Sequence, residues 1–184
     1  NTVDSASSEN ENFREFTDAL FRDNVSGDIL SLHTILQHPE NYGITNYEKT
    51  LGRYNLDNPT DNSDISDCLT QLNSFDKNSL SKDQQITYEL LKKYLETKLE
   101  YCDLFLLDTD LSTTIGIQVQ LPIIFAEYTF NEVKDIDEYL CAVEDTDEFF
   151  ENLIEYEKMR SEKGYFMETS LAEEIIEQCN TFID

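Results

Sequence analysis

Basic residues are scarce in this sequence: 13 lysines and arginines face 39 aspartates and glutamates, for a formal net charge of −26. A surface that negative repels phosphates, which makes nucleic acid and anionic membranes poor partners. The first use of so many acids is to solvate helix faces. Glycine (5) and proline (3) are rare as well, which disfavours a turn-rich β architecture and favours long helices. No apolar run approaches the ~18 residues of a membrane span, so no transmembrane segment is expected. Cys68, Cys102, Cys141 and Cys179 are spread evenly and form no CxxC pair, which excludes zinc-ribbon and thioredoxin spacings. Each falls in a helical pattern, where a cysteine acts as a small buried hydrophobe, with a disulfide as the alternative.

Histidine is nearly missing too. Both copies, His33 and His38, lie in the stretch LSLHTILQHPENYGI. Five residues apart on a helix is about 140° of rotation, so an unbroken helix cannot aim both at one ion. HExxH, which uses spacing four, is absent. A zinc site within this chain would need cysteines or carboxylates at no recognisable spacing, so no metal and no cofactor are expected here. His33 is read instead as a structural histidine beside Leu32, Ile35 and Leu36, and His38 as a turn residue before Pro39. The acids do not make a calcium loop: frames starting at Asp61 and Asp108 place Leu72 and Val119 where the closing Glu belongs. No Gly-rich phosphate loop and no GxSxG is found, so no catalytic residue is proposed.

What is present is helical periodicity. At 184 residues, with 11 Phe and 10 Tyr, the chain can bury a sizeable core. The opening NTVDSASSENEN is polar and is expected to be a disordered tether over residues 1–12, with a helical domain over 13–184. Phe13, Phe16, Leu20, Phe21 and Val25 make the first stripe. Asp28 can cap a second helix that Pro39 ends. Gly43 marks a turn, and a short helix covers Asp64–Phe75. Ser81-Lys82-Asp83-Gln84 is a capping box opening the stripe of Ile86, Leu90, Leu91, Tyr94, Leu95, Leu99 and Cys102. In TTIGIQVQLP the period changes to two, which predicts one strand over Ile115–Leu121. Helices resume to Phe130, over Asp135–Val143 and over Thr146–Lys163, where Gly164 can close the last turn. A final helix is expected with Ser170 as N-cap and a stripe of Leu171, Ile175, Ile176, Cys179, Phe182 and Ile183. That stripe runs to the end without a stop signal, so a longer polypeptide is expected, with its remaining C-terminal part as a partner. The uncovered stripe also predicts self-association of the piece.

The stretches FREFTDALF, LSLHTILQHPENYGI, LSKDQQITYELLKKYL, GIQVQLPIIFAEYTF, DIDEYL and Gly164-Tyr165-Phe166 follow one another in an order that resembles a bacterial family, domain of unknown function 885. The resemblance implies an all-α, irregular multi-helix fold and the N-terminal region of a secreted or lipid-anchored protein similar to zinc-dependent peptidases. It implies zinc only in the whole protein, since no position here matches the family's HExxH helix. On that reading the chain is non-catalytic and forms one wall of a peptide-substrate cleft. Gly116, Gln118 and Gln120 are the cleft candidates, while His33, Pro39, Gly43 and Pro122 are structural. The alternative is a freestanding helical binding or surface-interaction module with no enzymatic role.

Overall fold

The computed structural model describes the backbone of residues 2–183 and the side chains of residues 8–181. Its α-helices are α1 (Thr2–Val25), α2 (Ile29–Ile35), α3 (Ser63–Asn73), α4 (Lys82–Tyr101), α5 (Ile117–Ala126), α6 (Lys134–Glu144), α7 (Thr146–Glu162) and α8 (Thr169–Ile183). Three short 3-10 segments join them, and no strand occurs among the described residues. The fold is all-α. No helix is long and apolar enough to cross a membrane. The chain divides into two compact units, residues 1–24 with 58–105, and residues 25–57 with 106–184.

In the first unit, α1, α3 and α4 enclose Phe13, Phe16, Leu72, Leu80, Tyr88 and Leu95. Phe13 meets the Phe75 ring edge-on at 5.3 Å and 89°, the arrangement that ring quadrupoles favour. The capping box forms as expected: the Ser81 hydroxyl accepts from the Gln84 backbone N–H, and the Gln84 side chain accepts from the Ser81 N–H. Asn10 fastens α1 to this corner. Its amide donates to the Ser79 carbonyl, its Oδ1 accepts from the Ser81 N–H, and its carbonyl accepts from the Gln84 amide. The segment expected as a tether is therefore helical from Thr2 and packed at Asn10, while Asn1 lies outside the described residues. The stripe on α4 is wider than the face it buries. Tyr88 and Leu95 are inside, whereas Ile86, Leu90 and Tyr94 are more than half exposed.

In the second unit, Asp28 caps α2 by accepting from the Ser31 N–H, as its position before the stripe predicts. Val25, Leu32, Leu36 and Ile44 form one apolar cluster. Ile29, Leu30, Leu121 and Ala142 form another. Pro39 opens a 3-10 turn over Pro39–Tyr42 that Gly43 ends at φ 77. That left-handed conformation suits glycine because a Cβ is strained there. Both residues hold the turn. Gly164, at φ 79, closes α7 in the same way.

The expected strand at Ile115–Leu121 is incorrect, because Ile117–Ala126 is helix α5. The same letters satisfy two periods. Ile115, Ile117, Val119 and Leu121 alternate, yet Ile117, Leu121 and Phe125 recur at four-residue spacing and are the residues that pack on the Leu30–Ala142 cluster. Helical burial wins because no partner strand exists among the described residues to satisfy an extended backbone. Pro122, expected near the start of the next helix, sits inside α5. On α8, which starts at Thr169 rather than at the expected cap Ser170, Ile175 is buried but Leu171 and Ile176 are exposed. The side chains of Phe182 and Ile183 lie outside the described residues. All four cysteines are half-buried free thiols.

Arg160 organises the far side of this unit. Its Nη1 lies 2.8 Å from both Glu157 carboxylate oxygens, with only 7% and 8% of the two side chains exposed. It also donates to the Leu106 carbonyl, the Thr109 hydroxyl and the Tyr165 carbonyl. One guanidinium thus ties α7 to the loop before α5 and to the turn after Gly164. Next to it, Tyr156 stacks on Tyr54 at 4.3 Å and donates to the Asp108 carbonyl. Arg53 grips Asp145 with both nitrogens at the start of α7, where the Leu51 N–H donates to the same carboxylate.

Replacing Arg160 by Met leaves Glu157 buried and unpaired, so Arg160→Met is expected to lose about 3–5 kcal/mol of unfolding free energy. Urea unfolding checks it, and a loss below about 1 kcal/mol would contradict the buried pair. Burial pushes the Tyr156 phenol up to about 12 from its usual 10. The folded state therefore disfavours the phenolate, and stability should decline as pH rises from 10 through 12. In Tyr156→Phe, the tyrosinate absorbance step near pH 12 should shrink. An unchanged step there would show that Tyr156 ionises elsewhere.

Candidate functional site

The cleft candidates come together at the start of α5. Gly116 is its N-cap, buried, with Ser112 backbone atoms 2.4 and 2.5 Å from where a Cβ would stand. Glycine is needed here for close approach, not for φ, which is an ordinary −67. Gln118 is 6% exposed, and its amide donates to the Ser112 carbonyl and to Gln178 Oε1 on α8. Gln178 in turn donates to the Thr113 carbonyl. This amide relay joins α5, α8 and the preceding loop. A groove of about 680 Å³ lies beside it, lined by Gln118, Val119, Pro122 and Ile123 of α5 and by Glu174, Glu177 and Gln178 of α8. Gln120 is half-buried and not among the lining residues.

A second constellation was not legible in the sequence. His33 on α2 comes together with Asp135 and Glu138 on α6, one donor atom from each lying within 4.8 Å of the others. Asp135 is 4% and Glu138 7% exposed. Asp135 Oδ2 accepts from the Asn131 and Glu132 N–H groups just before α6, a carboxylate placed where a helix start favours it. Glu138 Oε1 accepts a short hydrogen bond from the Tyr47 hydroxyl. The His33 ring stacks on Tyr128 at 3.9 Å and 10°. The Tyr128 hydroxyl is buried without a hydrogen-bond partner. Burial, and then the bond to Glu138, push the Tyr47 phenol far up, so it stays a donor.

His38 goes elsewhere. At the N-cap of the 3-10 turn, as its place before Pro39 predicts, it faces Glu40 at 3.1 Å and Glu132 at 3.3 Å. All three side chains are more than 40% exposed. Lys134 reaches both acids, at 3.4 and 3.5 Å. The two histidines thus serve two clusters, and no ion could be shared between them at the spacing the sequence dictates.

An all-helical fold with a groove between α5 and α8 and a histidine beside two buried carboxylates is the class these observations define. The chain belongs to the family described as bacterial protein of unknown function, DUF885, whose match spans residues 42–184. No curated protein matches the chain, and no solved structure matches it. Asp135 and Glu138 fall within the matched span, and His33 precedes it.

Gly116→Ala should push α5 off the Ser112 loop and lower stability by about 1–3 kcal/mol, the ordinary range for overpacking. Thermal or urea unfolding measures it. A variant as stable as the parent would show that the loop gives way freely.

Proposed function

We propose that this chain is a non-catalytic helical region of a secreted or lipid-anchored bacterial protein resembling zinc-dependent peptidases, and that its part is to hold peptide along the α5–α8 groove. The observation that carries this reading is the groove itself. It combines the apolar side chains of Val119, Pro122 and Ile123 on its α5 wall with two exposed carboxylates, Glu174 and Glu177, one turn apart on its α8 wall. Apolar contacts supply affinity in such a site, and the exposed charges choose the partner. The occupant that fits is an extended peptide carrying lysine or arginine. The net charge of −26 strengthens the choice by steering cations toward the surface. The Gln118–Gln178 relay keeps the walls at a fixed separation, so binding needs little reorganisation.

No residue of this chain matches the HExxH helix that the resemblance implies for the whole protein, and no hydrolytic step is assigned to it. Zinc chemistry, where the whole protein has it, would act on a peptide that this wall positions. The same groove would serve a freestanding binding module, so peptide capture is common to both readings.

Titration of a fluorescent Lys/Arg-containing peptide, followed by anisotropy, tests the assignment. Binding should exceed that of an otherwise identical Asp/Glu peptide and should weaken with salt. Exposed ion pairs contribute about 0.2–1 kcal/mol each. Glu174→Gln with Glu177→Gln should therefore weaken it by roughly two- to thirtyfold. Equal binding of both peptides, or a double variant binding like the parent, would refute the groove as the peptide site.

A further inference from the structure

We propose that His33, Asp135 and Glu138 form a binding site for a single first-row divalent cation of borderline softness, with zinc as the ion to test. The charge balance is the first argument. Two carboxylates are buried side by side, and neither has a lysine or arginine within ion-pair distance among the described residues. Their bonded partners are neutral: two backbone N–H groups for Asp135 and one phenol for Glu138. Hydrogen bonds of this kind hold carboxylates in place without cancelling their charge. A protonated His33 would offset only one of the two, and its nitrogens lie beyond the 4.0 Å of an ion pair with either. A divalent cation balances both.

The donor set agrees with the charge. Imidazole suits zinc, iron and copper, whereas carboxylate suits harder ions, and a one-His, two-carboxylate set lies between. Each acid bonds through one oxygen, Oδ2 of Asp135 and Oε1 of Glu138, so the second oxygen of each stays outside those bonds. Around a tetrahedral ion with bonds of about 2.1 Å, donors stand about 3.4 Å apart. The three donor atoms lie within 4.8 Å, so the side chains must close by about an ångström on binding. The stack on Tyr128 fixes the plane of the imidazole. Three protein ligands leave one coordination position open, and the buried Tyr128 hydroxyl has no partner of its own. A groove of about 580 Å³, lined by His33, Tyr128 and Asn131 among others, opens onto the histidine side of the cluster, while the two acids lie outside its lining.

The His38 cluster supplies an internal contrast. There Lys134 already offsets one of the two acids and water screens both exposed carboxylates, so that cluster has far less unbalanced charge to attract an ion. This makes His38→Gln the control.

The test is zinc titration by calorimetry on the intact chain, with metal content measured after gel filtration. One retained zinc per chain and a zinc-dependent rise in melting temperature are expected. Partners that merely orient metal ligands tune affinity by 10–100-fold. Loss of a ligand in His33→Gln or Glu138→Gln should therefore exceed about a hundredfold, while His38→Gln binds as the parent does. Glutamine at 138 keeps an acceptor for Tyr47, so Glu138→Gln decides the matter if His33→Gln fails to fold. No retained zinc in the parent would overturn the site. So would zinc that survives Glu138→Gln, or zinc lost with His38→Gln instead.

Discussion

Every carboxylate taken out of water needs donors, and this chain has three acids for each base. That constraint shapes the second unit. A buried unpaired carboxylate loses more than its neighbours' apolar packing returns, so each one is met by something specific. Glu157 meets Arg160, one of the few bases, and that guanidinium also collects the Leu106 and Tyr165 carbonyls. Asp145 meets Arg53 and the Leu51 N–H at the start of α7. Among the buried acids of the described residues, only Asp135 and Glu138, both on α6, are left to neutral donors. The scarcity of bases and the character of that cluster are one fact seen from two sides.

Local signals in the sequence were reliable where the physics is local. Ser81 with Gln84, Asp28 before Ile29, Pro39 with Gly43, and Gly164 after α7 each take the part their chemistry dictates. A cap needs only a side chain and a backbone N–H two or three residues on. The segment Ile115–Leu121 shows where this stops. Its alternation and its four-residue spacing coexist, and the choice is made by Leu30 and Ala142, which are remote in sequence. Pro122 is the sixth of the ten residues of α5, where it removes one backbone N–H without ending the helix.

The site was legible only in halves. Of the cleft candidates that the resemblance implies, Gln118 lines the α5–α8 groove through its amide relay, whereas Gly116 packs against the Ser112 loop and Gln120 lies outside the lining. His33 looked like packing because its apolar neighbours on α2 account for it. Its partners lie about a hundred residues on, in DIDEYL, whose acids look like any solvated helix face among 39. Arg160 was hidden for the same reason: in EYEKMRSEK nothing marks one base as the buried one. Burial of a charge is a tertiary property, and no local spacing announces it.

Two pairs of acids in the second unit are used in opposite ways. Glu174 and Glu177 stand exposed on the α8 wall, where water screens them and a partner's charge can reach them. Asp135 and Glu138 stand inside, where screening is weak and their mutual repulsion is felt in full. A screened pair can select a partner yet holds it only loosely. An unscreened pair, fixed by α6 and by Tyr47, is organised before any ligand arrives and gains most from a small, doubly charged one. The same residue type therefore makes a permissive surface in one place and an exacting site in another. The difference lies in depth and in which neutral donors hold the oxygens still.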